Sequence, residues 1–228
     1  MSPRRPKLPG SAVDRLSATY QYLLGRKQDL AQPDVKSALN REVRDALISK
    51  ELRQEMIGVL RHLSLLGLCG GRISEASLQL QNNIYLVTRE NGWFQDLAEE
   101  DLLLVLPAAA EMGEADPTPP HWDWHLEIYR NRPGTQAVIL GQPPAVMALA
   151  RAGRLPEREH LPAAAESSGE YRFCQPESSA IAESVEGSEL LIIPGIGVLS
   201  AGVSIREAAI NLELIGKLGE ITLLYPGS

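Results

Sequence analysis

Two histidines one helical turn apart are the most chemically suggestive pair in this chain. His121 and His125 bracket the run His121-Trp122-Asp123-Trp124-His125. Positions four apart share one face of a helix, so both imidazoles could bind one metal ion. Asp123 falls on a different face and is not the obvious third ligand. Asp96, Glu99, Glu100 and Asp101 form an acidic cluster. Acids of this kind stabilise a helix N-terminus, which explains them better than a cation site does. Gly195-Ile196-Gly197 lacks the rest of a dinucleotide fingerprint and lies late in the chain. Cys69 and Cys174 are far apart and form no CxxC motif, the pattern of a reduced, cytoplasmic protein with idle thiols. Trp93, Trp122 and Trp124 suit a core or an interface better than ligand stacking.

The elements that must position these residues follow from periodicity. The expected fold class is α/β, a single domain of 228 residues, with 44% hydrophobic and 22% charged residues. Residues 1–12 read as a disordered tail, and 13–48 as a helical extension broken at Pro33. A helix is expected from about Glu51 to Leu66, with Leu52, Met56, Val59, Leu60 and Leu63 on one stripe and Gly67 as its stop. Leu78, Leu80, Ile84, Leu86 and Val87 suggest a hairpin around Asn82-Asn83. Leu102 to Leu106 suits a buried strand, and 108–120 a loop. Trp122 to Arg130 reads as a helix, Ala137 to Leu140 as a strand, and Ala145 to Ala152 as a helix after Pro143-Pro144. Two strands, Glu189 to Ile193 and Val198 to Ser200, precede a final helix from Ser204 to about Leu224. Ser204 and Glu207 make its capping box.

The charge of −7 argues against a nucleic-acid or anionic membrane partner, both of which need a basic footprint. The one basic cluster, Arg4, Arg5 and Lys7, suits a solvated tail. The longest apolar stretch, Leu190 to Val203, is too short and too broken by Pro194 and glycines to be inserted in a membrane. No apolar run follows the early charges as a signal peptide would require.

Several segments, taken in order, resemble the class II aldolase/adducin family. Leu66-Gly67-Leu68 with Gly70-Gly71-Arg72-Ile73-Ser74 resembles its GL…GGN(I/V)S turn. Leu97 to Val105 resembles its LTPEDLVVV segment, and Trp122 to Pro133 its EWPMHLAIYRARP helix. Ala137 to Pro144 resembles AVVHTHPP, and Gly195 to Gly202 resembles NHGVLVWG. The final helix carries the family's recurring glutamate, here Glu213. The resemblance covers roughly residues 50–225, so 49–228 is expected to form the family's domain. It implies a three-layer α/β/α fold with a central, mainly antiparallel sheet flanked by helices, assembled as a homo-oligomer, commonly a tetramer.

The resemblance also implies a zinc site of three histidines, a proton-moving glutamate and a phosphate pocket. The zinc-ligand positions hold Leu140, Gln142 and Ile196. Leucine and isoleucine offer no lone pair, and glutamine is a poor zinc ligand. The glutamate position holds His121. The asparagine of the GGN turn is Arg72, the pocket threonine survives as Thr88, and Glu90 places a carboxylate where a phosphate would sit. The serine pair before the glutamate is Pro119-Pro120, which removes donors. His125 matches a histidine that recurs in this helix across the family. No metal or other cofactor is expected. The reading favoured by these replacements is a non-catalytic protein acting by protein association or small-molecule binding. The alternative is a metal-independent lyase, dehydratase or isomerase, with His121 as acid/base near Arg72, Glu90 and Gln142.

Overall fold

The computed structural model describes residues 48–71, 73–80, 84–105, 118–162, 166 and 169–225. The tail expected over 1–12 and nearly all of the extension expected over 13–48 fall outside these residues, as do Arg72, Asn82 and Asn83. Met1–Leu52 and Arg53–Ser228 are separate compact units. Of the first, only residues 48–52 are described; there the Ser49 hydroxyl accepts the Leu52 N–H at 3.2 Å.

Seven strands form one mixed sheet flanked, among the described residues, by five helices of a turn or more. The strands are β1 (Glu75–Gln79), β2 (Tyr85–Thr88), β3 (Leu102–Val105), β4 (Ala137–Gly141), β5 (Tyr171–Phe173), β6 (Leu190–Ile193) and β7 (Gly197–Gly202). The helices are α1 (Lys50–Leu65), α2 (Trp122–Asn131), α3 (Pro144–Arg151), α4 (Ser178–Ser184) and α5 (Ile205–Leu224). The strand order is β3-β2-β1-β4-β7-β6-β5, antiparallel throughout except for the β5–β6 pair. The strands of the expected hairpin pair antiparallel, with Ser77 opposite Val87 and Leu78 opposite Leu86, and its turn at Asn82-Asn83 lies outside the described residues.

Local signals explain the ends of the elements. Gly67 adopts φ +70°, and the Leu68 N–H returns to the Leu63 carbonyl while the Gly67 N–H returns to Ser64. This is a Schellman stop, for which glycine has no steric penalty. At the start of α5 the Ser204 hydroxyl accepts the Glu207 N–H at 3.2 Å. The reciprocal half of the capping box is displaced by one residue: Glu207 accepts from the Val203 N–H at 2.7 Å, rather than from Ser204.

Alternation sorts the strands into two faces. One face presents Val87, Leu103, Val138, Leu140, Leu191, Ile193, Leu199 and Ala201 to Trp122, Trp124, Ile128 and Tyr129 of α2 and to Ile181 of α4. On the other side α5 packs along β7 and β4 and against α3, and Glu55 of α1 is ion-paired with Arg206 of α5. Residues 153–188 carry no pattern that predicts an element, and the structure forms β5 and α4 there.

Candidate active site

The first strand starts three residues earlier than its apolar pattern suggests, and that shift creates the site. Glu75 and Ser77 lie two apart on β1, so both point at α2. Both are buried in an otherwise apolar layer. Such groups are costly to bury unless paired, and here α2 supplies the partners. His121 Nδ1 lies 2.6 Å from Glu75 Oε1, and the His121 backbone N–H donates to both carboxylate oxygens at 3.3 and 3.2 Å. His125 Nδ1 lies 2.7 Å from Ser77 Oγ, which lies 2.7 Å from the Tyr129 hydroxyl. His125 Nε2 faces Glu75 Oε2 at 3.8 Å.

Exposure divides the set. The Glu75 side chain is 4% exposed and that of His125 0%, whereas that of His121 is 27% exposed. Burial raises the Glu75 carboxyl above its ordinary value, and the hydrogen bonds and charge of His121 pull it back. Burial also lowers His125 to about 3, so it is a neutral imidazole at ordinary pH. His121 sits at the N-cap of α2, where a carboxylate also meets the free N–H groups of the first turn. The Trp124 ring lies 4.2 Å from the His121 ring, tilted by 38°, and restricts its rotation.

The arrangement is a buried carboxylate holding one nitrogen of a partly exposed imidazole. With Nδ1 committed to Glu75, the second nitrogen, Nε2, is the one available to a substrate. A carboxylate so placed fixes the imidazole tautomer and stabilises the imidazolium when a proton arrives.

The other anticipated residues behave differently. Gln142 lies near this set: its Oε1 accepts from the Ser74 hydroxyl at 2.8 Å, and its Nε2 donates to the Ile73 carbonyl at 3.2 Å. Thr88 is fully buried and its hydroxyl is taken by the Ala76 backbone, accepting the N–H at 3.0 Å. It therefore ties β2 to β1. Glu90 is exposed in the turn after β2. His121 and His125 do share a face, but Glu75 enters between them. Glu75 was not among the anticipated site residues.

The zinc-ligand positions can be tested on chemistry. Leu140 is wholly buried in the apolar layer, and Ile196 packs against that layer. The Gln142 amide is occupied by Ser74 and Ile73. Two of these three side chains have no lone pair, so this donor set does not fit zinc. Among the described residues no group of three or more His, Cys, Asp or Glu side chains could hold a metal ion.

Fold and sequence together define the class: the chain belongs to the class II aldolase and adducin N-terminal domain family, which matches residues 54–223. Among solved structures it is similar to YgbL from Escherichia coli, a candidate aldolase/epimerase/decarboxylase, at 21% identity and a TM-score of 0.68, covering 77% of this chain and 89% of that one. It is also similar to an L-fuculose 1-phosphate aldolase at 17% identity and a TM-score of 0.66, covering 79% and 88%. The L-fuculose-1-phosphate aldolase of Thermus thermophilus aligns at 20% identity and a TM-score of 0.60, covering 76% and 97%. These likenesses establish the fold. No curated protein matches the chain. Among the described residues no helix is long and apolar enough to cross a membrane.

Proposed function

We propose that this protein is an enzyme of metal-independent proton transfer, a lyase, dehydratase or isomerase acting beside a carbonyl group. The observation that carries the reading is the 2.6 Å contact between the buried Glu75 carboxylate and the partly exposed His121 imidazole. In each of these reactions a base removes a proton next to a carbonyl or hydroxyl carbon, and an acid returns one. His121 Nε2 takes the proton and holds it, while Glu75 offsets the positive charge left on the ring. The step needs no metal among the protein's own groups, in keeping with Leu140 and Ile196 at the ligand positions. This reverses the preference that the replaced ligands alone suggest, because a buried carboxylate paired with a partly exposed imidazole is an arrangement suited to proton transfer.

A panel of hydroxy-acids, sugars and keto-sugars, followed by proton exchange into deuterated water, tests the reading. Turnover that survives chelator, and falls by about 100-fold or more in His121→Asn, is the expected result. Turnover that requires added divalent metal, or that is unchanged in His121→Asn, sinks it.

A second reading is association, in the family's homo-oligomeric manner or with a protein partner. It is favoured by Leu65, Leu66 and Ile73, which are 77%, 43% and 58% exposed beside the turn that leads into β1. Exposed large apolar side chains are candidates for contact surfaces. Sedimentation velocity of the wild type and of Ile73→Asp separates the possibilities: a tetramer that dissociates on substitution supports association through this edge, and an unchanged monomer rejects it. Two free, buried cysteines suit a reducing, cytoplasmic location.

A further inference from the structure

The Glu75–His121 pair leaves three buried polar side chains unaccounted for: Ser77, His125 and Tyr129. They form a line from α2 through β1 and back to the carboxylate. Each lies far from its partner in sequence, so the line exists only in the fold. One atom in it has no partner, because the buried His125 Nε2 makes no hydrogen bond. It faces Glu75 Oε2, the carboxylate oxygen that His121 Nδ1 does not hold, at 3.8 Å.

The direction of the protons along this line can be worked out. Burial raises the Tyr129 phenol well above its ordinary value, so it keeps its proton. The hydrogen-bond neighbour of this hydroxyl is Ser77 Oγ, at 2.7 Å, so the phenol proton is directed there. Ser77 has one proton and one remaining neighbour, so it donates to His125 Nδ1. A neutral imidazole accepting at Nδ1 carries its proton on Nε2. That N–H is then the group presented to Glu75 Oε2. The opposite tautomer would aim a lone pair at a carboxylate in a dry site, which is repulsive.

We propose that Ser77, His125 and Tyr129 are positioning residues that hold an imidazole Nε2–H against the second oxygen of Glu75, so that its first oxygen stays directed at His121. The inference rests on the reading of Glu75 and His121 as the chemical centre. It assigns to the inner histidine a role without contact to substrate. His125 is the electrostatic backstop of the carboxylate, and Ser77 sets its tautomer. Burial, which lowers His125 to about 3, keeps this imidazole neutral and its tautomer defined across the working pH range. The short approach of His121 to Oε1 and the longer one of His125 to Oε2 then describe one carboxylate shared unequally. When a substrate takes water away from His121, the unpaired Nε2–H is the donor placed to draw closer to the carboxylate.

Long-range proton–nitrogen NMR on full-length protein with labelled histidine reads the tautomers directly, without a substrate. The expected wild-type spectrum has His125 neutral with its proton on Nε2 from pH 8 to pH 5. It also has a strongly deshielded proton for the His121–Glu75 hydrogen bond. In Ser77→Ala the Nδ1–H form of His125 should become a major species and the deshielded resonance should move. Ser77→Thr, which restores a hydroxyl, should recover both. A wild-type His125 protonated on Nδ1 overturns the inference, even if the Ser77 variants fail to fold. So does a Ser77→Ala spectrum in which neither signal moves. If the deshielded resonance is missing while His125 is the Nε2–H form, the pair at the chemical centre fails, and the role assigned here fails with it. A His125 protonated on Nδ1 beside an intact deshielded resonance removes the positioning role alone.

Discussion

Glu75 and Leu140 are directly opposite one another on neighbouring strands, β1 and β4, and face the same helix. One of these positions, in the family pattern that the chain resembles, holds a metal ligand, and here it is wholly apolar. The other holds a carboxylate inside the same layer. Leu140 is bound to its surroundings by contact alone, whereas Glu75 is bound by hydrogen bonds to the side chain and backbone of His121. Stability at the first depends on volume and stability at the second on protonation. An apolar residue at one such position thus stands opposite a buried, hydrogen-bonded charge on the next strand.

The largest expected effect is at the polar end. His125 is lowered from 6.5 to about 3 in the folded protein. The unfolded chain therefore takes up a proton that the folded chain refuses. The stability this group contributes is complete above pH 6.5 and is lost as pH falls from 6.5 toward 3. The limiting slope is about 1.4 kcal/mol per pH unit, so roughly 2 kcal/mol is lost by pH 5 and on the order of 4–5 kcal/mol by pH 3. Glu75 is shifted the other way. Its raised carboxyl contributes stability that is present below about 4.5 and is lost as pH rises through its folded value. The two partly offset each other in the wild type. Urea midpoints of wild type and His125→Gln, measured from pH 7.5 to 4, isolate the histidine: the variant should have the flatter profile below pH 6.5. Parallel profiles would mean that His125 is not held neutral by burial.

At the apolar end, Leu140→Ala should cost about 2–5 kcal/mol, by lost burial and an incompletely closed cavity. The loss should be the same at pH 5 and pH 7.5, since no titrating group is removed. Gly197 beside it leaves little room for compensation: a Cβ there would lie 2.8 Å from Leu140 Cδ1 and 2.6 Å from the Gly141 carbonyl oxygen. A pH-dependent loss in Leu140→Ala would break the contrast, because it would couple the leucine to the carboxylate opposite.

Much of the frame is legible in the sequence, and the centre of the site is not. Leu102 to Val105, Trp122 to Asn131 and Ile205 to Leu224 carry apolar runs or helical stripes that outweigh local ambiguity. The Arg72 to Ser77 segment carries no stripe of large apolar residues, so the start of β1 is invisible to a search for buried hydrophobic faces. Its inward residues are Glu75 and Ser77, and what makes them tolerable inside lies 46 and 48 residues away on α2. The only trace in the sequence is the alternation of polar Glu75 and Ser77 with apolar Ala76 and Leu78. β5 is missed for a different reason. It is three residues long, with only Tyr171 buried. Of the seven residues of α4 only Ile181 is fully buried, too little to establish a period. At Thr88 the position of the hydroxyl is legible in the sequence, and its direction, toward the Ala76 backbone, is not.

The smallest expected effect decides to which end Gln142 belongs. It stands at an old ligand position, beyond the end of β4, yet its amide joins the two residues that precede Glu75. If it serves only to fasten that segment, Gln142→Met should cost about 1 kcal/mol, the net value of a part-exposed hydrogen-bonded contact of similar volume. The Ser74 hydroxyl can then turn to water, and the His121–Glu75 resonance should keep its position. If Gln142 also sets the approach of β1 to α2, the resonance should move even though the stability loss stays small. The NMR shift is therefore more informative than the melting temperature. A fixed resonance would leave Gln142 with Leu140 and Ile196 as part of the rebuilt wall, and a moved one would place it with Glu75 as part of the chemistry.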